Sequence, residues 1–198
     1  MFSLGLAGPF LPYLLLYLPG CMQKKLILDT DILDITINRL CQELIENHGD
    51  FGETVIIGMQ PRGLYVAEII HQKLQKLTKR EIPFGFLDAT FHRDDFRRRD
   101  IPAKANETRI DFAIEGKKVV LVDDVLFTGR TIKAALDVLL DYGRPARVEL
   151  CVLADRKEHR QFPIEAGYKA LEVPTDAKDK VKLVKNDAGK IDVVLISA

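Results

Sequence analysis

Residues 118 to 131 read KVVLVDDVLFTGRT: a short apolar run, broken only when two aspartates arrive side by side, then Thr-Gly-Arg-Thr. An apolar stretch of this length without polar alternation fits a strand buried on both faces, and such burial calls for a parallel sheet with helices above and below it. KVVLVD (118–123) therefore predicts a strand, and Thr131 to Asp141 the helix that follows it. This single βα unit already points to the α/β class.

The same grammar recurs along the chain. TVIIGM (54–59) is a second continuous apolar run, followed by the turn QPRG and a helix from about Leu64 to Leu77. IPFGFLDATF (82–91) and VELCVLAD (148–155) read as further strands. Ahead of them, Asp29, Thr30 and Asp31 offer N-caps for a helix carrying Leu33, Ile37, Leu40, Cys41, Leu44 and Ile45 at helical spacing, and Gly49 stops it. Repeated alternation implies a doubly wound, mostly parallel sheet flanked by helices, and 198 residues suffice for one such domain. Residues 92–110, HRDDFRRRDIPAKANETRI, are strongly charged and long for a loop in a compact domain.

Charge excludes a simple electrostatic function. Twenty-nine basic residues balance 29 acidic ones, so no global field recruits nucleic acid or membrane, and any partner has to be recognised at a local site. The cysteines, Cys21, Cys41 and Cys151, are an odd set, and the last two sit in apolar patterns like small core residues. A disulfide framework is not expected, and a reducing, cytoplasmic compartment is. Residues 1–21 carry no charge, and Leu18-Pro19-Gly20-Cys21 loosely resembles a lipobox, but a positive n-region is missing and Pro9, Pro12 and Pro19 interrupt a run already short for a spanning helix. They are expected to be a non-native or disordered extension, with the domain spanning 22–198 and no membrane partner.

In an open α/β sheet, ligands gather at the carboxyl ends of the strands, which directs attention to residues 59–63, 123–131 and 154–160 and to the charged loop. Thr128, Gly129, Arg130 and Thr131 lie where a strand hands over to a helix, so free N–H groups and the helix dipole favour an anion, with Gly129 allowing close approach. Asp123 and Asp124 stand just before this cradle, where acceptor-only carboxylates suit sugar hydroxyls. A phosphorylated ribose would satisfy both halves. Neither G-x-x-x-x-G-K-[ST] nor G-x-G-x-x-G occurs, so two familiar nucleotide fingerprints are excluded. His-Arg-Asp at 92–94 invites a protein-kinase reading, but the position five after Asp94 holds Arg99 rather than asparagine, and the glycine-rich loop is missing.

Four apolar positions, Asp-Asp and Thr-Gly-Arg-Thr together resemble the phosphoribosyl-pyrophosphate motif of the type I phosphoribosyltransferases, here Val122 to Thr131 with Val125, Leu126 and Phe127 in between. RDD at 93–95, YGRP at 142–145, and VLADR with HRQFPI across 152–164 are similar to the branch that couples uracil phosphoribosyltransferase activity to attenuation of the pyrimidine operon. The resemblance implies a type I fold with a small hood, built from about Val152 to Pro174 and a C-terminal strand near Ile191 to Ile196, and a flap at the charged loop. It implies transfer of phosphoribose from phosphoribosyl pyrophosphate to uracil with Mg²⁺, giving UMP. Asp123 and Asp124 would then hold the ribose hydroxyls and steady the metal, which the substrate mainly carries. Arg62 and Gly63 match the pyrophosphate loop, where a strained backbone offers amides, and Arg93 would approach the same leaving group. Purine-specific relatives carry an aspartate where Phe127 stands, which favours a pyrimidine, and Asp155 and Arg156 lie where the base would be recognised. His159 reads equally as a surface residue, and Cys151 as core rather than nucleophile.

The same branch binds leader RNA when UMP and UTP are abundant and acts as a homodimer or higher oligomer, which the sequence permits without a recognisable RNA motif. Two further readings stay open: an RNA-binding nucleotide sensor with little transferase activity, and a purine or orotate transferase.

Overall fold

The computed structural model describes residues 23–95, 106–186 and 189–197. The expectations for residues 1–21 and Met22, and those for Arg97, Arg98 and Arg99 of the charged loop, lie outside these residues.

Chain order gives β1 (Gln23–Leu28), α1 (Thr30–His48), β2 (Thr54–Met59), α2 (Gly63–Thr78), β3 (Phe84–Leu87), β4 (Lys118–Leu126), α3 (Arg130–Leu139), β5 (Arg147–Asp155), β6 (Tyr168–Glu172), β7 (Lys180–Lys185) and β8 (Ile191–Ser197). Two sheets result. The larger is parallel throughout, in the order β3-β2-β4-β5-β6, and the smaller is antiparallel, in the order β1-β8-β7.

Side chains alternate across the large sheet, so each continuous apolar strand feeds two cores. Val120 and Val122 of β4 point to one face with Ile56, Cys151 and Leu153, where α1 and α2 bring Leu40, Leu44, Ile70 and Leu74. Val119 and Leu121 point to the other face with Val55, Ile57 and Val152, where α3 brings Ile132, Ala135 and Leu139. Cys41 and Cys151 are buried free thiols in the first core, as their apolar setting implied.

The observed α1 begins one cap earlier than its apolar pattern: Oδ1 of Asp29 accepts from the Ile32 amide at 2.9 Å, and Gly49 closes the helix. Thr30 Oγ1 donates to the Ile191 carbonyl at 2.9 Å and so fastens the small sheet to this helix. Two boundaries differ from expectation. The strand read across 82–91 is only Phe84–Leu87, because the Asp88 carboxylate captures the Thr90 amide at 2.8 Å and turns the chain. The hood differs in part: the expected C-terminal strand is there as β8, but its partners are β1 and β7, whereas Val152–Asp155 and Tyr168–Glu172 pair in the parallel sheet.

At the end of the sheet away from the strand carboxyl termini, His48 is a buried junction. Its Nδ1 meets Thr54 Oγ1 at 3.1 Å, and its Nε2 meets Tyr168 Oη at 3.1 Å and Glu149 Oε2 at 2.9 Å. Burial pushes the imidazole below its ordinary value; the Glu149 carboxylate opposes this, but Lys118 and Arg147 weaken its effect. The folded state thus favours neutral His48 relative to the unfolded chain. The stability this carries is full above the ordinary histidine range, near pH 6.5, and is lost as pH falls below it. Urea midpoints measured from about pH 8 to pH 5 should fall more steeply in the natural protein than in His48→Phe.

Candidate active site

The carboxyl ends of β2, β3, β4 and β5 surround a cavity of about 600 Å³ whose walls include Arg62, Arg93, Asp123, Phe127, Thr128, Gly129, Thr131 and Arg156. A smaller cavity of about 320 Å³ adds Gln60, Ala89, Thr90 and Asp124, and shares Arg62, Arg93, Asp123 and Thr131. The small sheet overhangs the larger cavity through Asp179, Lys180, Val181 and Lys182.

β4 carries both carboxylates into this space while remaining a central strand, so Asp123 is 7% exposed and Asp124 only 2%. Each is tied to the backbone: Asp123 Oδ1 accepts from the Asp124 amide and Asp124 Oδ1 from the Val125 amide, both at 2.8 Å. Burial pushes the Asp123 carboxyl well above the usual range, the Asp124 charge pushes it further, and Arg62 opposes them. Oδ2 of Asp124 is buried and has no hydrogen-bond partner among the described residues; Arg62 Nε stands 3.2 Å away as an ion-pair partner without the alignment of a hydrogen bond. An incompletely satisfied, oxygen-only pair suits sugar hydroxyls or a hard divalent cation. Among the described residues no group of three or more His, Cys, Asp or Glu is placed to hold a metal alone, so Mg²⁺ fits here only with ligands from a substrate.

The cradle follows directly. Gly129 has φ of +87° and serves as N-cap of α3, a conformation costly for a residue with a Cβ. The turn is braced from behind: the Thr128 carbonyl accepts from the amides of Gln161 at 3.0 Å and Phe162 at 3.2 Å, and the Arg160 guanidinium bridges the Phe127 carbonyl and the Asp155 carboxylate. From the charged loop, Arg93 reaches Thr131 Oγ1 while its fork holds Asp95 at 2.9 and 2.7 Å.

On the other side of Asp123 lies the turn after β2. Gln60–Pro61 is a cis peptide, and Arg62 has ordinary helical angles, φ −88° and ψ −37°. What the turn needs is proximity. A Cβ on Gly63 would lie 2.7 Å from both Cα and Oδ1 of Asp123 and 2.9 Å from the Val122 carbonyl.

At the far end of the large cavity the Arg156 guanidinium stacks 3.9 Å above the Phe127 ring, and His159 meets that ring edge-on at 5.5 Å. Arg156 is 4% exposed and fixed by Thr175 Oγ1 and the Asp176 carbonyl, both at 2.8 Å; His159 Nε2 lies 2.6 Å from the Thr175 carbonyl.

The structure thus brings Asp123, Asp124, Val125, Phe127, Thr128, Gly129, Thr131, Arg62, Gly63, Arg93 and Arg156 together. It separates three others. Val122 is core, Arg130 turns its side chain to Asp94, to Gln161 at 3.0 Å and over the Phe162 ring, and Asp155 pairs with Arg160 beside a different cavity. Gln60, Asp88, Arg160 and Thr175 were missed. Arg160 lay inside the quoted HRQFPI stretch, whereas Asp88 was hidden within a presumed strand.

A model of the phosphoribosyl transferase domain matches residues 25–188, and the chain belongs to that family. Solved structures agree on the fold: the hypoxanthine-guanine phosphoribosyltransferase of Leishmania tarentolae with GMP aligns with a TM-score of 0.66 at 11% identity, covering 87% of this chain and 96% of that one. That of Bacillus anthracis gives 0.62 at 17% identity over 89% and 99%. The fold is the type I phosphoribosyltransferase fold. Within the family, the chain is similar to proteins called bifunctional protein PyrR: 39% identical over 181 residues in Listeria welshimeri, covering 89% of this chain and 98% of that one, and 42% over 178 residues in Actinobacillus pleuropneumoniae, covering 88% and 98%.

Gly63→Ala should lower the free energy of unfolding by about 1–3 kcal/mol through overpacking against Asp123, as read from urea denaturation.

Proposed function

We infer that this chain is a uracil phosphoribosyltransferase, making UMP and pyrophosphate from uracil and phosphoribosyl pyrophosphate with Mg²⁺, in a protein that also regulates pyrimidine-operon attenuation by binding leader RNA in response to UMP and UTP. One observation carries the enzymatic half: two adjacent buried carboxylates, one of them incompletely satisfied, stand beside a helix-capping anion cradle, Asp123 lining the cradle's own cavity and Asp124 the smaller one that shares Asp123 and Thr131 with it.

Phosphate at the 5′ position fits the amides of the Thr128–Thr131 turn and the Thr131 hydroxyl, with the α3 dipole behind them. That placement sets the ribose against Asp123 and Asp124, whose oxygens accept its hydroxyls. The C–O bond from the anomeric carbon to pyrophosphate breaks with its electron pair leaving on oxygen; a ring nitrogen of uracil forms the new bond, and its proton passes to the departing pyrophosphate or to water. Positive charge grows on the sugar while negative charge grows on the leaving group. The buried carboxylates face the first, and Arg62 with Arg93 faces the second. The unsatisfied Asp124 oxygen would help hold Mg²⁺, which when bound would supply further charge neutralisation on the phosphates. At the base end, the Phe127 ring carrying Arg156 gives a flat apolar wall beside a fixed cation, suited to a small ring rich in carbonyls.

The regulatory half rests on the likeness to proteins called bifunctional and on the quoted motifs. Cytoplasmic placement accords with free buried thiols, and among the described residues no helix is long and apolar enough to cross a membrane. Exposed Phe91, Leu140 and Tyr142 offer apolar surface of the kind a homodimer or higher assembly covers.

Pyrophosphate release should occur with uracil, and not with orotate, hypoxanthine or guanine. Asp123→Asn and Asp124→Asn should each cost about 1.5–3 kcal/mol of transition-state stabilisation, roughly 10- to 150-fold in kcat/KM. Turnover with a purine alone would sink the assignment. Leader-RNA gel shifts should tighten with added UMP and weaken steeply with salt. A salt-dependent shift without turnover would select the sensor reading instead.

A further inference from the structure

Beyond the groups that face the cavity, two side chains organise the elements that carry Arg62 and Arg93. Asp88 holds both described ends of the charged loop. Its Oδ1 accepts from the Thr90 amide at 2.8 Å and hydroxyl at 2.5 Å, and its Oδ2 from the Asn106 amide at 2.6 Å and side-chain Nδ2 at 3.1 Å. The Asp88 amide in turn donates to Thr108 Oγ1 at 3.0 Å. Burial raises the Asp88 carboxyl, but the hydrogen bonds from Thr90 and Asn106 outweigh it and hold it below the usual range, so the clasp is charged at neutral pH.

Behind the clasp the returning chain joins the edge of the sheet. Phe86 and Arg109 exchange backbone hydrogen bonds of 2.9 and 2.8 Å as an isolated antiparallel bridge. The turn after β2 grips both sides of this arrangement: the Gln60 amide donates to the Leu87 carbonyl at 2.8 Å, and its side-chain Nε2 donates to the Glu107 carbonyl at 2.7 Å. Arg62 follows two residues after Gln60, and Arg93 follows five residues after Asp88. Both guanidinium groups wall the same small cavity as the two carboxylates.

We propose that Gln60 and Asp88 are positioning residues that lock the Arg62 turn and the Arg93 arm into one unit, so that both cations meet the same pyrophosphate group. The inference rests on the phosphoribosyl-transfer reading above. Two arginines on separate loops present a divergent target unless their roots share a frame, and misplacement of a charged contact by about 1 Å is enough to erode transfer rates. Gln60 supplies that frame through one neutral bond to a backbone carbonyl, and Asp88 through four bonds to its carboxylate.

The test compares the natural protein with Gln60→Met, which keeps the side-chain length and removes the donor, and with Asp88→Asn, which keeps the shape and removes the charge. Initial rates give KM for phosphoribosyl pyrophosphate and for uracil, product inhibition gives the affinity for pyrophosphate, and melting curves with and without phosphoribosyl pyrophosphate and Mg²⁺ give binding independently of turnover. Gln60→Met should raise KM for phosphoribosyl pyrophosphate about 3- to 10-fold, the worth of one neutral hydrogen bond, and weaken pyrophosphate inhibition by the same factor, with KM for uracil unchanged and the ligand-free melting temperature lowered by no more than about 4 °C. Asp88→Asn should show the same pattern with a larger factor. Unchanged phosphoribosyl-pyrophosphate and pyrophosphate parameters in Gln60→Met, or a uracil KM that rises in step with them, would overturn the proposal. If Asp88→Asn does not fold, Gln60→Met decides alone. A natural protein whose melting temperature is indifferent to phosphoribosyl pyrophosphate overturns the transfer reading itself, whatever the variants do.

Discussion

β4 has to be two things at once: the middle of a parallel sheet buried on both faces, and the support for two adjacent carboxylates. Those demands conflict, because removing an ionised group from water is costly unless partners replace the water. The strand supplies a partial answer with its own next amides, which bind one oxygen of each aspartate. The remainder is left to Arg62, itself largely exposed, and to whatever enters the cavity. Incomplete internal satisfaction, at Asp124 Oδ2, leaves the pair open to hydroxyls or cations rather than a closed structural knot. The same demand reaches into α2, since only a residue without a side chain can start a helix against the Cα of Asp123.

The cradle depends on a second long-range arrangement. Within the turn the Arg130 amide donates only a long bond, 3.4 Å, to Thr128 Oγ1, so the turn's carbonyls have to anchor it. Thr128 and Phe127 pass their carbonyls backward to residues 160–162, and the buried pair of Asp155 with Arg160 holds that segment at the end of β5. Asp155 therefore acts on the site at one remove. Arg130 likewise contributes its backbone to the cradle while its side chain ties the cradle to Asp94, Gln161 and Phe162. Residue type and spacing put both residues beside the candidate site, but the direction of a long side chain is decided by neighbours remote in sequence.

The same distinction explains what was legible in the sequence. β2, β4, β5 and the three helices announced themselves because each is buried in a way its own period reveals, six consecutive buried residues in β2 being the plainest case. β1 was silent: QKKLIL is mostly exposed and becomes a strand only by pairing with β8 at the opposite end of the chain. β7 did carry a signal, since KVKLVK alternates with period two, yet its short apolar set resembles a charged loop until the sheet that uses it is known. β3 ended early because a side chain, Asp88, outbid the ladder for the Thr90 amide, a local competition that apolar pattern cannot register.

The hood and the phosphate motif meet at one stack. Phe127 leads into the turn that caps α3, and Arg156 stands at the end of β5, but the atoms that fix Arg156 are Thr175 and the Asp176 carbonyl on the path to β7. A nucleotide lying between the cradle and this stack touches three parts of the chain at once: the start of α3, the end of β5 and the overhanging Asp179–Lys182 edge. On the transfer reading, phosphate alone would reach the first, and a free base the other two. On the uracil-transfer reading, only the product nucleotide spans all of them, so it stabilises their mutual arrangement more than either separate ligand does. On that same reading, the difference would give a site built for transfer the physical means to report how much uridine nucleotide is present.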